Sequence, residues 1–274
     1  MRDRRQTSHS RSGLSVQSDG RFPVCRTLPE EVPVAMVFNG TTHAVMMATP
    51  ADLADFAQGF ALTEGIVTAP DQIESFEEIA HPNGIEARLW LHGDRAEALE
   101  TRRRFMAGPV GCGLCGIDSL QEADRPLPQV GPGVTFTRAD VAGATDALRA
   151  FQPLHDQTRA VHAAGFLRPG EGIVLAREDV GRHNALDKLI GALSRQGIDP
   201  AAGAIVLTSR VSVEMVQKCA MAGCPVLIAV SAPTAHALRL AESAGITLAA
   251  FARGNGFDLY SHPQRIQTGA SDVA

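Results

Sequence analysis

Apolar and polar positions along the first hundred residues fall into two alternating pairs with a helical stretch between them. Residues 34–38 and 41–48 flank Asn39-Gly40. Asn-Gly between two apolar runs predicts a tight hairpin, because both residues tolerate positive φ. Thr49-Pro50-Ala51-Asp52 then predicts a helix start, with Thr49 as the cap and Pro50 in the first turn. Leu53, Phe56, Ala57, Phe60 and Ala61 recur at helical spacing, and Gly65 is a stop. Residues 73–80 and 85–91 around His81-Pro82-Asn83-Gly84 predict a second hairpin, with Ile85, Ala87, Leu89 and Leu91 on one face. Hairpins with one helix predict a small α+β domain.

From Thr137 the period changes. Thr137-Arg138-Ala139-Asp140 predicts a capped helix to about residue 150. Apolar runs at 172–176, 204–208, 225–230 and 246–251 then alternate with helical patterns at 184–193, 213–222 and 234–244. That alternation predicts an α/β domain with a largely parallel sheet. Prolines and glycines crowd residues 125–133, the composition of a linker. The expected organisation is a disordered arm (1–21), a small α+β domain (22–104), a mobile cysteine-containing loop and linker (105–133), and an α/β domain (134–274).

The 274 residues are 45% hydrophobic and 20% charged, a globular composition with no window near the ~18 apolar residues of a membrane span. A net charge of −5 gives no basic field for nucleic acid, and one Trp and one Tyr leave little for base stacking. Five thinly spread cysteines argue for a reducing compartment rather than a disulfide scaffold. Arg4-Arg5 is not followed by an apolar stretch, so an export signal is not read there.

Chemistry concentrates in Gly111-Cys112-Gly113-Leu114-Cys115-Gly116, downstream of Arg102, Arg103 and Arg104. A thiol pair at this spacing binds a metal, cycles through a disulfide or carries sulfur, and nearby positive charge favours the thiolate. Cys219 and Cys224 would be needed to complete a four-thiolate zinc site, yet both fit apolar patterns better. His43, His81 and His92 have no partners at ligand spacing. Polar clusters follow the strands of the second domain: Arg182 and His183, then Ser209 and Arg210, then Ser231, then Arg253 to Gly256. Ligands bind beyond the carboxyl ends of such strands, and helix N-termini with arginine suit an anionic, nucleotide-like ligand.

The cysteine loop resembles that of the formate dehydrogenase accessory sulfurtransferases, the FdhD/NarQ family. So does the run Glu178-Asp179-Val180-Gly181-Arg182-His183-Asn184-Ala185-Leu186-Asp187-Lys188. The stretch from Ser209-Arg210 through Ser231-Ala232-Pro233-Thr234, and Phe251-Ala252-Arg253 with Tyr260, complete the likeness over roughly residues 28–266. The resemblance implies a cytoplasmic homodimer whose C-terminal domain is a cytidine-deaminase-like three-layer α/β unit. It implies a sulfurtransferase that takes sulfur from a cysteine desulfurase as a Cys112 persulfide, with Cys115 assisting. The sulfur passes to the bis(molybdopterin guanine dinucleotide) molybdenum cofactor, the cargo, for formate dehydrogenase. It further implies that Phe251, Ala252, Arg253, Gly254, Asn255 and Gly256 contact the cofactor, with no permanently bound metal. Arg182, His183, Ser209, Arg210 and Ser231 are the wider pocket expected from the strand ends. Deaminase chemistry needs H-x-E and P-C-x-x-C, and His162-Ala163-Ala164 lacks the glutamate. The alternative reading is a zinc-stabilised, non-catalytic module that docks formate dehydrogenase.

Overall fold

The computed structural model describes residues 6–93 and 126–269. The cysteine motif at 111–116 and Arg102 to Arg104 lie outside the described residues.

The chain opens with a hairpin. Strands β1 (Ser8–Gln17) and β2 (Gly20–Pro29) pair antiparallel from Ser8↔Pro29 to Gln17↔Gly20. Residues 8–21 were expected to be disordered, and this is a correction. A Ser- and Arg-rich segment is too polar to predict a core, but a β ladder is made by the backbone and needs only a turn and an extended chain.

The first larger sheet contains β3 (Val32–Phe38), β4 (Thr41–Ala48), β5 (Ile73–His81) and β6 (Gly84–Leu91), in the order β4-β3-β6-β5. Both expected hairpins form, and Asn39 (φ 48°) and Gly40 (φ 75°) make the first turn. The two hairpins join through a parallel pairing of β3 with β6. Helix α1 (Leu53–Thr63) covers one face, burying Phe56, Phe60 and Leu53 against Val34, Met36, Phe38 and Leu89. Its cap is Asp52 in the left-handed region, not Thr49 as expected. Thr49 is drawn away because its amide, hydroxyl and carbonyl all bind the second unit, as described below.

The second unit begins with β7 (Phe136–Thr137) and helix α2 (Arg138–Arg149). Thr137 and Asp140 form the expected reciprocal cap. Then follow α3 (Pro153–Thr158), β8 (His162–Arg168), β9 (Gly172–Asp179), α4 (Arg182–Arg195), β10 (Ala204–Leu207), α5 (Val213–Met221) and β11 (Val226–Ala229). The last elements are α6 (Ala235–Ala244), β12 (Thr247–Arg253), β13 (Gly256–Ser261) and β14 (Ile266–Gln267), which pairs with β7. The six-stranded sheet has the order β13-β12-β11-β10-β8-β9. Only β10/β11 and β11/β12 are parallel, and the other three pairings are antiparallel, which corrects the largely parallel expectation. The β8–β9 and β12–β13 hairpins account for the difference. Strand β8 is masked by the small residues Ala163, Ala164 and Gly165, and β13 carries only a short alternating pattern.

Three layers result, because strand side chains alternate between faces. Ala164, Phe166, Ile205, Leu207, Leu227 and Leu248 pack with α4, α5 and α6. Ala163, Leu167, Val206, Ile228 and Ala249 pack with α2. Helix α4 is buried from Asn184 to Leu193 because α1 of the first unit lies on its outer side. The proline-rich stretch before β7 is held down as well: Val130 donates to the Ala244 carbonyl at 2.9 Å, and buried Arg265 donates to the carbonyls of Gly131 and Pro132.

Candidate functional site at the carboxyl edge of the sheet

The parallel strands β10, β11 and β12 all end on one side of the sheet. Antiparallel β8 starts there at His162, whose register partner is Asp179 at the end of β9. Three loops and the start of α4 therefore converge.

Asp179 organises this corner and is fully buried. Its Oδ2 lies 2.7 Å from Lys188 Nζ and accepts from the Thr49 amide at 3.0 Å. Its Oδ1 accepts from the Gly181 amide at 2.8 Å and from Asn184 Nδ2 at 2.9 Å. Lys188 also donates to the Thr49 carbonyl, Val180 donates its amide to Thr49 Oγ1, and Asn184 donates to the Met47 carbonyl. The polar run 178–188 is thus partly a joint between the two units. Glu178 serves a third element, accepting from the amides of Leu154 and His155 at the start of α3. A neighbouring network has the same character. Lys218 reaches Thr63, Glu64 and Asp187 at about 3 Å. Burial would lower its pKa, but Asp187 and Glu64 more than offset that and hold it raised.

What remains free for a ligand is narrower. Arg182 and His183 open α4, whose first turn carries no acidic residue and whose cap, Gly181, offers no side chain. The amides of this half-buried helix start make it an anion-favouring end. Arg182 Nε is buried without a hydrogen-bond partner among the described residues. His183 Nε2 is 3.9 Å from Glu214 Oε2 in the first turn of α5, long for a hydrogen bond but close enough for charge pairing. That imidazole is the chief cause holding the Glu214 carboxyl down at about 2. His162 sits behind them, 3.5 Å from Thr208 Oγ1, and burial followed by the Arg182 charge lowers its pKa. Arg182 supplies the positive charge of this group, and Asp179 and Glu214 supply negative charge beside it.

The next two loops are tied to one another. Val211 bridges to Pro233, with Val211 N donating to Ala232 O and Thr234 N to Val211 O. Ser209 is buried and donates to the Arg210 carbonyl, leaving the Arg210 side chain exposed. Ser231 accepts from the Phe251 amide at 3.4 Å. Phe251 has φ 53° and is 36% exposed. A bulky residue in the left-handed region is strained, and such strain collects at sites that bind. Arg182, His183, Ser209, Arg210, Ser231 and Phe251 are thus gathered along one edge.

The rest of the expected contact segment is placed differently. Ala252 is buried and accepts from Thr145 Oγ1. Arg253 to Gly256 form the β12–β13 turn, where Arg253 pairs with Gly256 and Arg138 of α2 donates to the Asn255 carbonyl. Gly254 needs its glycine for φ 59°, while no described atom lies within 4 Å of where a Gly256 Cβ would be. Arg253 is exposed beyond the edge.

His162, Lys188, Thr208 and Glu214 are not among the residues that the sequence pattern places at the site, and Asp179 is read there only as a polar residue after a strand. One signal was available: the two lysines of the chain both fall inside otherwise apolar helix patterns. Cys112 and Cys115 lie outside the described residues. Cys219 and Cys224 are fully buried, and desolvation pushes both thiols up, Cys224 to about 12. They are core residues, as their patterns predicted, and Cys25 is exposed on β2.

The fold is a mixed α/β protein with an anion-favouring strand edge beside a buried, charged joint. The sequence model of the FdhD/NarQ family matches residues 29–267, and the chain belongs to that family. It is 52% identical over 242 residues to the Sulfur carrier protein FdhD of Agrobacterium fabrum, covering 88% of this chain and 89% of the relative. Identity to the protein of the same name from Brucella abortus is 54% over 266 residues, covering 97% and 96%. A solved chain from Desulfotalea psychrophila, described as a formate dehydrogenase accessory protein, matches with a TM-score of 0.77 over 96% of this chain and all of that one. At 24% identity that likeness shows the fold alone.

Proposed function

We propose that this chain is a sulfur carrier for formate dehydrogenase maturation, receiving sulfur on Cys112 and delivering it to the bis(molybdopterin guanine dinucleotide) molybdenum cofactor. The observation that carries the reading is roughly half identity, over nearly the whole chain, to relatives named as sulfur carriers, together with the Cys112-x-x-Cys115 pair. The thiol inventory supports it. Cys219 and Cys224 are withdrawn from solvent with raised pKa values, so neither is a competent nucleophile.

The Cys112 thiolate attacks the terminal sulfur of a cysteine desulfurase persulfide. A new S–S bond forms on Cys112, the donor S–S bond breaks, and the donor cysteine leaves as thiolate, with no net redox change. Where Cys115 then attacks the Cys112 sulfur, hydrosulfide leaves and a Cys112–Cys115 disulfide forms, which a thiol reductant must reopen. The strand edge with Arg182, His183, Ser209, Arg210, Ser231 and Phe251 takes the nucleotide end of the cargo, and Arg253 pairs with a phosphate. The three-layer unit is read as a cytidine-deaminase-like scaffold used for binding. The protein works as a cytoplasmic homodimer; no described helix is long and apolar enough to cross a membrane.

Reconstitution tests the reading. Desulfurase, cysteine, this protein and formate dehydrogenase carrying unsulfurated cofactor are combined. Activity should appear with wild type and fail with Cys112→Ala. Equal activation by both would refute the carrier role.

A further inference from the structure

The β1–β2 hairpin has no core of its own. Leu14 (58% exposed), Val16 (68%), Phe22 (44%) and Leu28 (48%) project from its two faces. A two-stranded hairpin alone is marginal in water, and further strands or a packed face are needed to hold it. It is anchored to its own chain at the base, where Ser8 Oγ donates to Gln157 and His9 lies 2.9 Å from Glu30. Among the described residues, no further strand pairs with the outer edge of either β1 or β2.

Its charges are unmatched as well. Arg11 and Arg26 are direct cross-strand partners, an unfavourable placement of like charges. Neither they nor Arg21 forms an ion pair with a described residue. Residues 6–29 carry three arginines against Asp19. The following unit has the opposite balance: residues 30–93 hold ten Asp and Glu and a single arginine, Arg88. Several of those carboxylates are engaged, among them Asp55, Glu64 and Glu86. Glu74, Glu77 and Glu78 are exposed and form no ion pair with a described residue. All three lie on β5, an edge strand nine residues long beside hairpin strands of ten. An unpaired edge of this kind is a template for strand addition. Trp90, Val45 and Met47, each over a third exposed, lie on the same sheet.

We propose that the hairpin of one copy adds to the free edge of β5 in a second copy, so that Arg11, Arg21 and Arg26 meet Glu74, Glu77 and Glu78. Made reciprocally, the contact closes with two-fold symmetry and stops at a dimer. It offsets the Arg11–Arg26 repulsion and removes two open sheet edges per copy. The inference deepens the homodimer expectation with a specific surface, and the sulfur chemistry does not enter it.

Sedimentation equilibrium of the full chain over a wide concentration range tests this. Wild type should be dimeric, and both Arg11→Glu/Arg26→Glu and Glu74→Arg/Glu78→Arg should weaken association at least tenfold while circular dichroism is unchanged. Mixing the two variants, or joining all four substitutions in one chain, should restore association. A monomeric wild type, a dimer indifferent to the substitutions, or variants that weaken without mutual rescue would each overturn the proposal. No sulfur is loaded in this experiment, so its result is independent of the carrier reading.

Discussion

Gly59 of α1 and Gly191 of α4 meet backbone to backbone. A Cβ on Gly59 would sit 1.8 Å from the Asp187 carbonyl oxygen, and one on Gly191 would sit 1.8 Å from the Asp55 carbonyl oxygen. The obstacles are main-chain atoms of helices, which cannot swing aside. Gly59→Ala must therefore push the helices apart and loosen the charged joint beside them. Overpacking costs about 1–3 kcal/mol where side chains can shift, so a loss at or above the top of that range is expected. Urea denaturation reads it, and an unchanged midpoint would show that the two helices separate freely.

Lys188 and Asp179 form the buried centre of the same joint. Removing one partner of a buried pair leaves an uncompensated charge, typically at about 3–5 kcal/mol. Asp179 keeps three other donors, the amides of Thr49 and Gly181 and the Asn184 side chain, so Lys188→Met should fall at the lower end. Lys188→Met/Asp179→Asn should recover part of the loss. A double variant less stable than the single one would contradict this.

Glu214 gives a pH signature. Its folded-state pKa, about 2, lies below the ordinary 4.5, chiefly because of His183. Its stabilisation is therefore complete above about pH 4.5 and is lost as pH falls toward 2. The side chain is 29% exposed, so screening reduces the full shift to about 1–2 kcal/mol. The stability gap between wild type and Glu214→Gln should be present at pH 6, shrink steadily below about pH 4.5 and close only below about pH 2. A gap that does not change with pH would contradict the assignment.

The elements that sequence pattern reveals best are those with a periodic apolar face or a wholly apolar run. Both hairpins of the first sheet, helices α2, α4, α5 and α6 of the second unit and strands β10, β11 and β12 are legible from period and turn residues alone. The β1–β2 hairpin is not, because its residues are polar and its pairing is made by backbone. Strand β8 is hidden by Gly165 and two alanines, although Leu148 lies where a Gly165 Cβ would be. At the site, arginines and serines after strands were readable because loop position follows from strand ends. The roles of Asp179, Asn184, Lys188 and Thr49 were not, since they depend on a contact between units more than a hundred residues apart in sequence. Phe251 was among the expected cofactor contacts, but its left-handed backbone (φ 53°) was not foreseeable.

Nucleotide binding separates the edge from the turn. Arg253→Ala should weaken guanosine diphosphate binding roughly ten- to a hundredfold, the loss of one charge-assisted contact of about 1.5–3 kcal/mol. Cytidine diphosphate should bind much less well to wild type. Calorimetric titration decides both points. Undiminished affinity in Arg253→Ala would confine the site to the strand edge and remove the β12–β13 turn from it.

The central claim is that sulfur rides on Cys112. Intact-protein mass spectrometry after incubation with a cysteine desulfurase and cysteine tests it most directly. Wild type should gain at least one sulfur, removable by reductant, and Cys112→Ala should lose most of that gain while Cys219→Ala and Cys224→Ala keep it. Equal sulfur loading of Cys112→Ala and wild type would contradict the account.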